Sequence, residues 1–222
     1  MCHVGAVQRR QGGTVEKEWT VARYGIMEAF GVHLGHTGLA MGVEKAKKLV
    51  FLSDGLRANW QICIDHFPDA LQILDFYHAS EHLGAFCNLY KNLEKAQQRY
   101  EQWYQMFLDG EALQVIAEMK GEFKELSSKD EGWKHINYFR TNADRMHYHQ
   151  YREENLPMGS GEVESSCKYV VGKRFKVSGM RWKKADNQKV LSARMAKINS
   201  YLESHYRPTP QYYTFQRPQK AA

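Results

Sequence analysis

The sequence predicts an α/β fold, and three observations lead to it. A short, continuously apolar run covers residues 49–52, and a second one covers residues 71–74. Between them lies a helical pattern from about residue 57 to residue 66. A strand, a helix and a strand with brief links are typical of a parallel βαβ unit that is buried on both faces. From residue 79 onward the apolar residues recur with helical spacing, which indicates a large all-helical region.

The chain before this unit is predicted to form a hairpin and two short helices. Residues 1–24 contain an alternating stretch and a Gly12-Gly13 turn, the pattern of a β-hairpin. Residues 25–47 hold helical spacing that glycines interrupt, which favours two short helices.

The chain divides into four predicted segments. Residues 1–78 form an α/β core, residues 79–150 a helical insertion, residues 151–205 further core helices, and residues 206–222 a flexible tail with three prolines. The apolar positions of the predicted helices are Leu83, Phe86, Tyr90, Leu93, Tyr100, Trp103 and Phe107 in a stripe that Gly110 ends, Leu113, Ile116, Met119, Phe123 and Leu126 in a second stripe, and Leu191, Met195, Ile198 and Leu202 in the last helix.

Composition excludes several classes of protein. The formal charge is +6 and the isoelectric point is near 9.0, a basic balance that permits a nucleic-acid partner without establishing one. The four cysteines lie far apart with no CxxC pair, so we expect reduced thiols rather than disulfides or a zinc knuckle. The longest strongly apolar run is far shorter than the ~20 residues of a membrane span. A cytoplasmic protein without membrane contact is predicted.

Three acidic residues stand out by their positions. Asp54 and Asp75 end the two predicted strands, and Glu164 lies one turn into the helix predicted after Gly159-Ser160-Gly161. The carboxyl ends of parallel strands are where open α/β sheets place their sites. Phosphoryl transfer on DNA uses acids that converge on Mg²⁺ ions ~3.5–4 Å apart. The spacing alone favours a strand-end Asp that caps the next helix and a surface Glu, since acid pairs are common in proteins.

Several sequence blocks resemble the transposases of the ISKra group of bacterial insertion sequences. The blocks cover most of residues 48–205 in the order of that family, and they are Leu52-Ser53-Asp54-Gly55, His66-Phe67-Pro68, residues 73–83 (ILDFYHASEHL), residues 156–168 (LPMGSGEVESSCK) and residues 174–182 (RFKVSGMRW). The resemblance implies an RNase H-like mixed sheet with an all-helical insertion before the last acid. It also implies DNA cleavage and strand transfer with Mg²⁺ or Mn²⁺, the DNA ends of an insertion sequence as partner, and a possible homo-oligomer.

The resemblance also assigns roles to individual residues. Asp54 matches the second catalytic Asp of the family and Glu164 the terminal catalytic Glu, so these two are the predicted metal ligands, with Glu162 as second choice. Asp75 and His78 match a D-x-x-H pattern, and we expect them to support the site or contact DNA rather than hold metal.

One departure from the family pattern affects the predicted activity. The first catalytic Asp of the family lies on the first, central strand, but residues 1–53 contain no Asp. The four glutamates of that region match no family block, and they are Glu16, Glu18, Glu28 and Glu44. We therefore expect a sheet without its first strand and a chain that is inactive in strand cleavage.

A basic segment follows the predicted catalytic helix start. Between residues 165 and 185 the chain has no acid and seven basic residues, which are Lys168, Lys173, Arg174, Lys176, Arg181, Lys183 and Lys184. Three aromatic residues interleave with them. Such a segment can neutralise phosphates and is the predicted nucleic-acid-binding surface, although a solvated basic face has the same composition.

Two alternatives remain open from sequence. His78-Ala79-Ser80-Glu81-His82 fits the H-x-x-E-H pattern of inverted zinc peptidases, in which two His one helical turn apart bind zinc. The other alternative is a DNA-binding remnant without catalysis.

Overall fold

A long antiparallel hairpin opens the chain. In this computed structural model, which describes residues 1–11, 13–122, 126, 128–161 and 186–199, strand β1 (Cys2–Gln11) pairs with β2 (Thr14–Tyr24). The register runs from Cys2 opposite Tyr24 and shifts between Arg9 and Arg10. The predicted hairpin is therefore confirmed.

The outer edge of β2 is closed by side chains of the last described helix, α8 (Asn187–Ile198). Asn199 accepts a hydrogen bond from the Thr20 amide and donates one to the Thr20 carbonyl, both at 2.8 Å. The Gln188 side chain accepts from the Tyr24 amide at 2.8 Å. An amide side chain that satisfies both backbone groups of one residue replaces a neighbouring strand at that point.

Helix α1 (Met27–Met41) packs on both strands of the hairpin and on the next helix. The structure has one helix of 15 residues and a single 3₁₀ turn (Val43–Lys45) where two short helices were expected. The glycines that suggested interruptions lie at the helix contact instead: a Cβ on Gly31 or Gly38 would lie 3.0 Å from Ile62 or 2.7 Å from Phe67. Small residues at these positions let the two helices approach closely.

The predicted βαβ unit is confirmed. Strand β3 (Val50–Ser53) and strand β4 (Leu71–Leu74) are parallel, with Val50 opposite Leu71, and helix α2 (Arg57–His66) connects them. The fold is thus mixed α/β. Its strands form two separate two-stranded sheets, β1–β2 and β3–β4, in the part of the chain that the structure describes. Ile62, Cys63 and Phe67 join Val21, Phe30 and Leu34 in one apolar cluster between the hairpin, α1 and α2.

Five helices follow β4 and pack around the largest apolar cluster. They are α3 (Phe76–Cys87), α4 (Leu93–Leu108), α5 (Ala112–Gly121), α6 (Lys129–Asn142) and α7 (Tyr148–Glu153). The predicted stripe from Leu83 to Phe107 spans two helices, because Asn92 caps α4 by accepting a hydrogen bond from the Lys95 amide at 2.9 Å. Leu93, which the stripe included, is 82% exposed.

The cysteines within the described residues carry no disulfide. Cys63 and Cys87 are buried, and burial raises the pKa of the two thiols to about 11 and about 12. Both therefore remain protonated at neutral pH. Cys167 and the predicted tail lie outside the described residues. Among those residues, no helix has the length and apolar character to cross a membrane.

Candidate active site at the ends of β3 and β4

The two predicted strand-end acids start at the same edge of the β3–β4 sheet. Asp54 and Asp75 directly follow the registered pair of Ser53 and Leu74. The Asp75 amide continues the ladder by donating to the Ser53 carbonyl at 2.7 Å. Since neighbouring strands lie ~4.8 Å apart, the two residues begin one strand spacing from each other.

Asp54 keeps one carboxylate oxygen free of hydrogen-bond partners among the described residues. Its Oδ1 accepts hydrogen bonds from the Leu56 amide at 3.0 Å, from Asn59 Nδ2 at 3.0 Å and from the Ser53 hydroxyl at 3.3 Å. Its Oδ2 accepts none from the described residues, and the residue is half-buried. The hydroxyl of Tyr138 donates to the Asp54 backbone carbonyl at 2.9 Å. The loop thus presents one carboxylate oxygen at a partly exposed position, and hard divalent cations prefer oxygen ligands of this kind.

Asp75 has a different role because its side chain is fully buried. Oδ1 caps α3 by accepting from the His78 amide at 3.0 Å, and Oδ2 accepts from the Ser160 amide at 2.5 Å. The His78 ring nitrogen Nδ1 lies 3.5 Å from Oδ1. Both oxygens are therefore engaged in fixing backbone, which leaves Asp75 poorly available to a metal ion.

The Asp75 contact brings the Gly-Ser-Gly segment to the strand ends. The Phe76 amide adds a second tie by donating to the Met158 carbonyl at 2.8 Å. Gly159 lies between these anchors, and a Cβ there would come within 2.4 Å of the Tyr77 ring. Residues 105 positions apart in the chain, such as Gly55 and Ser160, thereby reach the same edge of the sheet.

A histidine pair lies behind this edge. His82 on α3 and His135 on α6 approach each other with an Nδ1–Nδ1 distance of 3.0 Å. The Tyr138 ring stacks on His82, with ring centroids 3.6 Å apart. Burial, followed by the charges of His135 and His78, lowers the pKa of His82 to about 4 although Asp54 opposes the shift. Burial also lowers the pKa of His135. Both rings are therefore neutral at pH 7.

The structure brings together three of the predicted site residues, which are Asp54, Asp75 and His78. Glu164, Glu162 and the seven basic residues of the predicted DNA-binding segment lie outside the described residues. Within residues 1–161 and 186–199, as far as they are described, no three His, Cys, Asp or Glu side chains are grouped to hold a metal ion. The Glu16 carboxylate is engaged across the hairpin with Arg9 at 3.1 Å, and the Glu18 carboxylate accepts from Gln8 at 2.7 Å.

Sequence reasoning did not find His135, Tyr138 or the Ser160 amide. Tyr138 lies 84 positions from its partner Asp54, and His135 lies 53 positions from His82, so no local pattern connects them. The one pattern that could have indicated them is the spacing of His135 and Tyr138, which places both on the same face of α6.

Comparisons with protein families, with curated proteins and with solved structures find no match to this chain. Its function is therefore argued from the geometry of the site and from the sequence blocks that surround it.

The histidine pair predicts a specific pH dependence of stability. Because the pKa of His82 is lower in the folded chain than in the unfolded chain, the unfolded state binds more protons between about pH 6.5 and pH 4. The stabilisation is complete above pH 6.5 and is lost as the pH falls to about 4. We expect protonation of the pair to lower the free energy of unfolding by about 1–2 kcal/mol, a value discounted for partial solvent exposure of the rings. Urea unfolding at pH 6.5 and at pH 4, in buffer with EDTA, measures this loss.

The matched variants are His82→Gln/His135→Gln and His149→Gln, which replaces an exposed histidine. The double variant should lose less stability on acidification than the wild type, and His149→Gln should behave like the wild type. Equal acid sensitivity in all three proteins would contradict the assignment.

Proposed function

We propose that this chain is a part of a DDE-type transposase with an RNase H-like fold, that it binds DNA, and that it does not cleave DNA by itself. One observation carries the proposal: Asp54 and the Gly159-Ser160-Gly161 segment meet at the ends of β3 and β4 through the Asp75–Ser160 hydrogen bond. The sequence blocks that resemble the family are those that supply these contacts. The cytoplasm is the expected location.

The Ser160 contact is compatible with Glu164 as a ligand at this edge. Four residues of chain span at most ~14 Å, and Ser160 contacts the Asp75 side chain at the edge of the sheet from which Asp54 projects. A metal site shared by two acids 110 positions apart is therefore part of the proposal.

The residues at this edge fit a hard divalent cation. Asp54 offers an oxygen that accepts no hydrogen bond from the part of the chain that the structure describes, and Glu164 is the proposed second ligand, because Mg²⁺ and Mn²⁺ prefer carboxylate oxygens. Such an ion supplies stabilisation of the charge that develops on a transferred phosphoryl group. Asp75 acts on the backbone rather than on the ion: it fixes the start of α3 and the Gly-Ser-Gly segment, and the His78 ring lies beside it with Nδ1 3.5 Å from Oδ1.

The division of the strands into two sheets supports an incomplete RNase H-like sheet. The outer edge of β2 is satisfied by Asn199 and Gln188, whereas β1 and β3 each have a single strand partner in the described part of the chain. An additional strand between β1 and β3 would join the halves into one mixed sheet. That strand carries the first catalytic Asp in the family, and no Asp occurs in residues 1–53.

DNA binding is the activity that the proposal expects of this chain. The basic segment of residues 165–185 begins four residues after Gly161 and is the proposed contact to phosphates. The triple variant Lys173→Ala/Arg174→Ala/Lys176→Ala should weaken binding to duplex DNA of mixed sequence. If all three contact phosphates, the slope of log K against log salt should shrink by about 3. Fluorescence anisotropy at several salt concentrations measures both quantities.

The control changes the same charge at three exposed lysines on other elements, Lys91, Lys120 and Lys129. That variant should keep the wild-type slope. Absence of DNA binding by the wild type, or an equal effect of both triple variants, would reject the basic segment as the DNA surface.

Cleavage is tested separately on supercoiled plasmid with Mg²⁺ or Mn²⁺. We expect no nicking by the wild-type chain, because two metal ions would lack their shared ligand. Robust metal-dependent nicking that Asp54→Ala abolishes would show a complete site. The zinc peptidase alternative is not favoured, since Nδ1 of His82 lies 3.0 Å from Nδ1 of His135 and Nδ1 of His78 lies 3.5 Å from Asp75 Oδ1.

A further inference from the structure

Two imidazole rings from helices far apart in the sequence meet without a carboxylate between them. His82 belongs to α3 and His135 to α6, and their Nδ1 atoms are 3.0 Å apart. Both side chains are half-buried. Neither residue has a part in the proposed DNA chemistry. Two ring nitrogens at this distance share either one proton or one metal ion.

The distance is close to that between two ligands of one metal ion. Zinc binds imidazole nitrogen at about 2.0–2.1 Å, and a tetrahedral angle between two such bonds separates the nitrogens by about 3.3 Å. The observed 3.0 Å differs from this by a small rotation of either ring. A metal ion can therefore enter without a rearrangement of the helices.

We propose that His82 and His135 bind one divalent transition-metal ion of the zinc class through their Nδ1 atoms and so clamp α3 to α6. The proton balance is simple. Without metal, one neutral ring donates its Nδ1 proton to the other; on binding, that ring carries the proton on Nε2, and no net proton is released.

The surroundings of the pair favour a cation. The negative charges of Asp54 and Glu131 act on His82 and His135, respectively, while Lys134 opposes them and is itself paired with Glu131. The rings are half-exposed, so water can reach the remaining coordination positions of the ion, and no third His, Cys, Asp or Glu completes a group within the described residues. Imidazole ligands select zinc, copper, nickel or cobalt over Mg²⁺, so this site is distinct from the proposed carboxylate site.

The clamp is connected to Asp54 by Tyr138. The ring of Tyr138 lies on His82 with an interplanar angle of 8°, and its hydroxyl holds the Asp54 carbonyl at 2.9 Å. A metal ion on the pair fixes the ring on which Tyr138 stacks. Occupancy should therefore increase the order of the loop that carries Asp54.

The test is a titration of the chelator-stripped full chain with Co²⁺ and Zn²⁺ in the presence of excess Mg²⁺. We expect one equivalent of Co²⁺ with visible d–d bands, which Zn²⁺ displaces and Mg²⁺ does not. His82→Gln and His135→Gln should each weaken binding at least about 100-fold, since even outer-shell changes cost 10–100-fold. His149→Gln, the exposed control, should bind as the wild type does.

Two further measurements keep the proposal falsifiable. His78→Gln should retain binding, whereas loss in His78→Gln and retention in His135→Gln would overturn the proposal in favour of the peptidase site. X-ray absorption of the zinc-loaded wild type does not depend on the folding of any variant, and it should show two imidazole nitrogens at about 2.0 Å. Binding that neither His82 nor His135 affects, or a zinc shell without imidazole, would also overturn it. DNA binding in the presence of EDTA is independent of these outcomes.

Discussion

Replacement of Asp75 by alanine is expected to lower the free energy of unfolding by about 3 kcal/mol, because two backbone N–H groups lose their buried acceptor. The amides of His78 and Ser160 donate to the two oxygens of this fully buried carboxylate. The helix cap contributes about 1 kcal/mol, and the orphaned Ser160 amide contributes the remainder. Chemical unfolding of the full chain measures the total.

Amide hydrogen exchange in the Gly-Ser-Gly segment is a second measurement on the Asp75→Ala variant. Hydrogen exchange at the Ser160 amide should accelerate in Asp75→Ala, since that amide no longer has a partner. Asp75→Asn should lose about half as much stability, because Asn keeps an acceptor oxygen at only one of the two carboxylate oxygen positions and has a donating NH₂ group at the other. Asp69→Ala, at an exposed loop position, serves as control and should change stability by less than about 0.5 kcal/mol. Wild-type stability of Asp75→Ala would show that Asp75 does not hold the segment.

The β3–α2–β4 unit was predictable from sequence because its physics is local. Each strand is a short apolar run, and the helix between them is long enough to cross over and return the chain in a parallel direction. The hairpin was predictable for the same reason, since alternation and a Gly-Gly turn lie within 24 residues. Observed strand bounds differ from the predicted ones by one residue at β3 and by none at β4.

Helix boundaries were less predictable where one sequence pattern can have two physical causes. Glycines within a helical repeat can end a helix or can allow another helix to approach closely. The sequence of α1 suggested the first, but in the structure its glycines are the positions at which α2 comes close. The stripe across α3 and α4 continues through a loop because Tyr90 is buried there as well. Asn92 caps the N-terminus of α4 and marks its start. A capping residue directly before a helical run is a sequence pattern that could have predicted this boundary.

The candidate site also contains features that local sequence patterns predict and features that depend on long-range contacts. Asp54 and Asp75 were found because strand ends are local features, whereas the different roles of the two acids depend on Ser160 and Tyr138, which approach from distant parts of the chain. Burial separates the acids: the carboxylate with both oxygens engaged holds backbone, and the half-exposed one remains available to a ligand. Sequence alone assigns neither burial nor long-range partners.

Gly55→Ala is expected to destabilise the chain by about 3 kcal/mol, because it adds backbone strain and a steric clash at the loop of Asp54. Gly55 has φ of +89°, which L side chains rarely adopt. A Cβ there would lie 2.8 Å from Tyr138 Cε2 and 3.0 Å from Leu74 Cδ1. Tyr138 cannot move aside freely, since it stacks on His82 and its hydroxyl is bound to Asp54. Thermal and urea unfolding measure the loss.

A double-mutant cycle separates the two contributions. Gly42→Ala has nearly the same φ, +84°, with no atom within 4 Å of its Cβ, so it isolates the strain and should cost about 1 kcal/mol. In a Tyr138→Ala background the cost of Gly55→Ala should fall toward that value, with a coupling energy of about 1–2 kcal/mol. A full cost that persists without the Tyr138 ring would place the clash elsewhere and would remove Tyr138 as the group that positions the Asp54 loop.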